Sequence, residues 1–87
     1  MSKYAQALAD VEKALGISPN HANHYGTRGF IYTGMGDYSR AIDDFNKSLE
    51  LNPDNGENYY NRGIAHQKLN EHDRAQADFD KAKEFRV

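Results

Sequence analysis

Apolar residues recur along this chain at helical spacing. Over residues 2–16, Tyr4, Leu8, Val11 and Leu15 stand three and four apart, which draws one stripe along a helix and predicts its close at Gly16. Ala7 and Ala14 sit beside that stripe and would let a neighbouring helix come close. The run Ile17-Ser18-Pro19-Asn20 breaks the pattern: Pro19 cannot continue a helix, and Asn20 is suited to cap the next one. A second helix over residues 22–34 carries Tyr25, Gly29 and Tyr32, and Gly34-Met35-Gly36-Asp37 reads as a turn. Residues 38–51 form a third helix with Tyr38, Ala41, Ile42, Phe45 and Leu49 on one side, ended by Asn52-Pro53-Asp54-Asn55-Gly56. A fourth over 57–69 carries Tyr59, Gly63 and His66 and ends at Asn70, and a fifth runs from His72 to Phe85. Five helices joined by such short loops pack antiparallel.

The same order of residues comes round every 34 positions. Tyr25 falls on Tyr59, Arg28 on Arg62, Gly29 on Gly63, Arg40 on Arg74, Phe45 on Phe79 and Pro19 on Pro53. Three columns run through the whole chain: Ala7/Ala41/Ala75, Asp10/Asp44/Asp78 and Lys13/Lys47/Lys81. A fixed period of this length marks stacked helical units, none able to bury its apolar face alone. The units divide as 2–18, a lone second-type helix, and two complete hairpins at 20–53 and 54–87. Gly29 gives up about 1 kcal/mol of helix propensity against Ala, which close contact between paired helices would offset. In the last helix Gln76 replaces the apolar Leu8 and Ile42, and Lys83 replaces Leu15 and Leu49. That polar face partly caps the array, although Phe85 and Val87 leave apolar surface there. At the other end the first helix lacks a hairpin partner, which fits either an array cut from a longer one or a face covered by another molecule.

The residues at these matches resemble the tetratricopeptide repeat, with its aromatic, Leu-Gly, aromatic, later Ala and Phe, and closing Pro. Those slots hold Tyr25, Arg28-Gly29, Tyr32, Ala41, Phe45 and Pro53 in the middle unit, and Tyr59, Arg62-Gly63, His66, Ala75, Phe79 and Val87 in the last. The first unit supplies Tyr4, Ala7, Val11, Ala14 and Pro19. Tyr stands for the usual Trp, Arg for the Leu before the glycine, and Val87 for the final Pro. The resemblance implies an all-α fold, a short right-handed α-solenoid of about two and a half repeats forming one domain.

Composition narrows the partners. A net charge of −2 offers no global attraction to phosphate backbones or anionic lipid, so neither nucleic acid nor a membrane surface is expected. There is no cysteine for a disulfide or thiolate metal site, no run approaches a membrane span, and a soluble cytoplasmic protein is the default expectation.

The most specific polar signal is the pair of columns Arg28/Arg62 and Asp10/Asp44/Asp78. Each Arg occupies a helix-facing slot where an unpaired guanidinium would be costly, so each is expected to pair with an Asp of a neighbouring helix, in its own repeat or the preceding one. Such a ladder would fix the register of stacked hairpins. Of the histidines, His21-x-x-His24 has a chelating spacing, yet these two bracket a helix start, and His66 and His72 fill the slots of Tyr32 and Tyr38. Packing or capping is expected of all four rather than metal binding. Asp43 and Asp44 are adjacent on a helix and point apart, no nucleophile–base set appears, and the glycines at 34 and 36 lack a preceding strand. No enzyme activity and no cofactor are expected. Tyr4, Tyr25, Tyr38 and Tyr59 are core by periodicity, whereas Tyr60 is not.

In this family the first helix of each hairpin lines a concave groove. Projected here, that face presents Asn23, Gly26, Thr27, Phe30, Thr33 and Gly34, then Glu57, Tyr60, Asn61, Ile64, Gln67 and Lys68. Some members hold the C-terminal carboxylate of heat-shock chaperones with a ring of Lys, Arg and Asn. Only Asn61 matches that ring, with Gly26 and Phe30 at slots wanting Lys and Asn, so such a clamp is not expected. The resemblance implies a protein–protein interaction module that lays a partner's peptide or helix against Asn23, Thr27, Phe30, Thr33, Tyr60, Asn61, Ile64, Gln67 and Lys68. Phe30, Tyr60 and Ile64 would anchor it and Thr27, Asn61 and Gln67 would hydrogen-bond it. The alternative is self-assembly into a homodimer or a domain-swapped oligomer through the incomplete first repeat.

Overall fold

A computed structural model describes residues 2–85 of the chain; Val87, at the place of the final repeat Pro, lies outside them. The described residues form five helices, α1 (Ser2–Ile17), α2 (Ala22–Met35), α3 (Tyr38–Leu51), α4 (Gly56–Lys68) and α5 (His72–Phe85), and no strand. α2 pairs with α3 and α4 with α5 as antiparallel hairpins, α3 lies against α4, and α1 packs on α2. The helices extend 33 × 25 × 19 Å.

Several ends differ by one residue from expectation. α1 runs through Gly16 to Ile17, because nothing crowds Gly16 and Ser18 N–H still reaches the Ala14 carbonyl at 2.8 Å. Gly34 and Met35 belong to α2 rather than to the turn, which begins at Gly36. Gly36 has φ +82° and Asn70, 34 residues on, has φ +63°. Each sits at the left-handed position that closes a helix, and in each turn the next N–H returns to a carbonyl five residues back, Asp37 to Tyr32 at 2.9 Å and Glu71 to His66 at 2.8 Å. Asp37 caps α3 through the Arg40 N–H at 3.3 Å, and Asn55 caps α4 through the Asn58 N–H at 3.1 Å. Asn20 does not cap α2; His21 takes that position without a side-chain bond.

The core cluster lies between the two helices of the α2/α3 hairpin and against α1. Ala41 and Phe45 of α3 are fully buried against Tyr32, and Leu8 of α1 packs onto them. Gly29 allows this, since a Cβ there would stand 2.7 Å from the Phe45 ring, and one at Gly63 would stand 2.7 Å from Phe79. Backbone thus approaches ring directly, as the propensity cost of a mid-helix glycine suggested. Tyr25 and Tyr59 are half-buried and turn their hydroxyls to the carbonyls of Pro19 (2.7 Å) and Pro53 (3.0 Å). Tyr4 departs from the core expectation. Its ring lies over Gly34, but its outer side faces solvent and it is 41% exposed, because no further helix covers α1 among the described residues. His72 is likewise exposed at the chain's other end. Gln76 and Lys83 are exposed on α5, and Phe85 is partly covered by stacking on Tyr59 at 5.8 Å.

Candidate functional site

The two arginines resolve the question the columns left open. Arg28 donates from Nε and Nη2 to the two carboxylate oxygens of Asp44, both at 2.8 Å, and Arg62 does the same to Asp78 at 2.9 and 2.7 Å. Both pairs lie within one hairpin, tying its first helix to its second. Hydrogen bonding to Asp44 raises the Arg28 pKa above its ordinary value, against an opposing effect of burial, with the Asp44, Tyr32 and Glu12 charges adding to the rise. Each guanidinium also lies over the tyrosine three residues before it, at 5.8 Å for Arg28–Tyr25 and 5.5 Å for Arg62–Tyr59. The ladder expected between hairpins is present in one step only: Arg62 Nη1 donates to Asn46 of the preceding hairpin at 2.9 Å. Asp10 is exposed and pairs with no cation among the described residues.

His66 is buried and its Nδ1 hydrogen-bonds Glu71 at 2.7 Å, which gives it the packing role expected of the Tyr32 slot. His21 and His24 stack at 4.2 Å. Among the described residues no group of three or more His, Asp or Glu side chains could hold a metal ion.

Between α2 and α4 opens a groove of about 470 Å³, lined by Asn23, Gly26, Thr27 and Phe30 from α2 and by Asn55, Glu57, Asn58 and Asn61 from the start of α4. Four of the sequence-derived residues, Asn23, Thr27, Phe30 and Asn61, therefore share one groove. Thr33 lies around a second, mostly apolar cavity of about 380 Å³ with Tyr4, Ala7, Phe30, Ile31 and Gly34, and its hydroxyl donates to its own helix at the Gly29 carbonyl (2.9 Å). Tyr60, Ile64, Gln67 and Lys68 line neither. Tyr60 is half-exposed with its ring tilted against Phe79 at 5.6 Å, Ile64 is half-buried, and Gln67 and Lys68 are exposed at the far end of α4.

Asn55 and Asn58 were missed by projecting one helical face. Asn58 is held from below: its Nδ2 donates to Ser48 Oγ at 2.6 Å, and the fully buried Ser48 hydroxyl donates to the Ala22 carbonyl at 2.8 Å. A Cβ on Gly26 would come within 2.9 Å of Asn58 Oδ1, so the glycine makes room for the amide. The available signal was the joint departure of Ser48 from its column mates Ala14 and Ala82 and of Gly26 from any side chain at all.

Paired antiparallel helices recurring every 34 residues, with a groove between successive first helices, define a helical-repeat solenoid. Models of the tetratricopeptide repeat match residues 22–55 and 45–77, and the chain belongs to that family. No curated protein sequence matches it. Among solved structures, that of MamA is 25% identical with a TM-score of 0.89 over 95% of this chain and 48% of that one. The chain thus spans about half the length of that protein. The first and second tetratricopeptide domains of Spaghetti (RPAP3), each bound to the HSP90 peptide SRMEEVD, superpose with TM-scores of 0.93 over 97% of this chain and 67% and 78% of theirs. At 24% and 20% identity these two speak to the fold. No helix of the described residues is long and apolar enough to cross a membrane.

Proposed function

We propose that this chain is a single-domain protein-interaction module that binds an extended peptide of a partner protein in the groove between α2 and α4. The observation that carries the reading is the groove's lining: the Asn23 and Asn61 amides and the Thr27 hydroxyl around an exposed phenyl ring, Phe30, at 63% exposure, with Asn55 and Asn58, engaged in capping α4 and in the bond to Ser48, closing the floor. Amides offer donor and acceptor together and so suit the N–H and C=O groups of a peptide backbone, while a bare aromatic ring takes an apolar side chain. Glu57 is the one charged residue in that lining. The favoured ligand is therefore neutral or basic, in contrast to the acidic SRMEEVD that the Spaghetti domains hold. Thr33, Tyr60, Ile64, Gln67 and Lys68 serve as flanking contacts for a longer ligand. The role is binding without catalysis.

Selection of peptides from a random displayed library on the folded protein, followed by titration against Phe30→Ala/Asn61→Ala, tests this. Neither side chain is buried, so the variant keeps the helical signal of the parent. The selected peptides are expected to lose at least about tenfold in affinity. Unchanged affinity in the folded variant would move the site off this groove.

A further inference from the structure

The hydrogen bonds beneath the groove fix which way the Asn58 amide points. Ser48 gives its one hydroxyl proton to the Ala22 carbonyl at 2.8 Å, so its oxygen accepts from Asn58, and the amide atom 2.6 Å away is the nitrogen. Oδ1 is thereby turned to Gly26, where an added Cβ would stand 2.9 Å from it. Asn58 is 6% exposed, and its Oδ1 meets no donor among the described residues. No buried side-chain oxygen or nitrogen among those residues lacks a partner, so this oxygen opens to the groove. The floor therefore carries an acceptor of fixed direction.

The charge around it has one sign. Glu57 lines the same groove, is exposed, and takes part in no ion pair among the described residues. The arginines of the two lining helices are turned away, Arg28 onto Asp44 and Arg62 onto Asp78 and Asn46, and Lys68 stands about three turns further along α4. A carboxylate and a preset oxygen with no cation beside them suit a donor-rich positive group, an ammonium or a guanidinium. The repeat adds a spacing. Glu57 lies one 34-residue period after Asn23, at the same level of its helix, and Phe30 lies seven residues past Asn23 on α2. Two helical turns put about 10 Å between the charged end of the groove and the ring, which is about three residues of extended chain.

We propose that the groove selects peptides in which a Lys or Arg lies about three residues from the apolar side chain seated on Phe30, with that cation set on Glu57 and donating to Asn58 Oδ1. This selectivity rests on the groove reading and adds the chemistry that picks one ligand from another. Gly26 is part of the device, because a side chain there would crowd Oδ1. Asn23, Thr27 and Asn61 bond the peptide backbone without regard to its sequence. An acidic residue in place of the basic one meets the Glu57 carboxylate and is rejected.

The probes are peptides selected from a random displayed library on the folded chain. Lys or Arg is expected to recur about three residues from their common apolar position. In fluorescence titration of one such peptide, Glu57→Gln should weaken binding about three- to fivefold and Glu57→Lys about tenfold or more. Exchanging the peptide's basic residue for Glu should restore binding to the Glu57→Lys protein, and raising salt from about 50 to about 500 mM should remove most of the parent's preference for the basic peptide. Glu57 is exposed, so both variants fold. Peptides that lose affinity with Phe30→Ala/Asn61→Ala but show no basic enrichment would overturn the selectivity and leave the groove reading standing. A basic residue that recurs yet tolerates Glu57→Lys would do the same, by placing its partner elsewhere. Peptides indifferent to Phe30→Ala/Asn61→Ala, or a library that yields none, would overturn the groove reading and the selectivity with it.

Discussion

Arg62 holds Asp78 through two hydrogen bonds of 2.9 and 2.7 Å, and its remaining terminal nitrogen reaches across to Asn46 of the preceding hairpin at 2.9 Å. Arg28 has the first part of this arrangement without the second, since the residue one repeat before Asn46 is Glu12, which acts on Arg28 as a charge at longer range. Removing Arg28 leaves the buried Asp44 carboxylate unpaired, and removing Arg62 leaves buried Asp78 with only the His66 ring, whose Nε2 stands 3.8 Å away. With each Arg side chain about a quarter exposed, solvent softens the penalty, and Arg28→Leu is expected to destabilise by about 2 kcal/mol. Arg62→Leu should exceed it by about 0.5–1 kcal/mol for the lost bond to Asn46. Replacing Arg28 and Asp44 together by Leu should recover most of the loss, as read from urea unfolding in a double-mutant cycle. An Arg28→Leu protein more stable than the parent and still monodisperse would show that the pair does not hold the hairpin.

The raised pKa of Arg28 fixes the pH range of this contribution. A group whose folded value lies above its unfolded one stabilises fully below the unfolded value and ceases to do so only as pH climbs through the folded one. For a guanidinium both lie beyond the alkaline range in which proteins are handled. The cost of Arg28→Leu in urea unfolding should therefore be the same at pH 7 and pH 10. A cost that declines over that interval would mean that Arg28 is not the group responsible.

Ser48 is the one polar residue in a column otherwise filled by Ala14 and Ala82, and it is fully buried. Ser48→Ala fits the space but leaves the Ala22 carbonyl and the Asn58 amide without their partner. A loss of about 1–3 kcal/mol is expected in thermal or urea unfolding. The same change frees the Asn58 amide on the groove floor, so peptides selected on the parent should bind the variant more weakly under conditions where both proteins are folded. Equal stability and equal affinity would show that this chain of hydrogen bonds supports neither the packing nor the groove.

These residues also mark where the sequence was readable. Helix number and hairpin order followed from the 34-residue period and from apolar spacing, because each repeat states the same pattern and errors in one are corrected by the next. The Arg–Asp pairing was legible as a need for a partner, but its direction was not: columns repeat with the chain, so a partner in the same hairpin and one a repeat away look alike. Asn55 and Asn58 escaped because the groove is closed by the loop before α4 and by a side chain held from below through Ser48, neither of which a helical projection contains. The same projection extended the face to Gln67 and Lys68, although the groove opens at the N-terminal end of α4. Tyr4 shared the pattern of Tyr38 without its neighbours, and exposure follows neighbours.

The glycines give a paired experiment in which the sign itself discriminates. Gly16 and Gly29 both lie within helices, so Ala at either site gains up to about 1 kcal/mol of intrinsic helix propensity, less at Gly16 because it falls in the last turn. At Gly16 an added Cβ meets nothing within 4 Å, and Gly16→Ala should raise stability by about 0.5 kcal/mol. At Gly29 the Cβ would stand 2.7 Å from the ring of Phe45, itself fully buried and unable to withdraw. Overpacking of that kind costs about 1–3 kcal/mol, which outweighs the propensity gain, and Gly29→Ala should lower stability by about 1–2 kcal/mol. Gly63→Ala should also lower stability: Phe79 is only partly buried and has room to tilt, but the backbone carbonyl of Ala75 stands 3.2 Å from the added Cβ and does not. Thermal unfolding of the three variants ranks them directly, and a stabilised Gly29→Ala protein would mean that the helices of the hairpin are not in the direct backbone-to-ring contact on which the packing of each repeat depends.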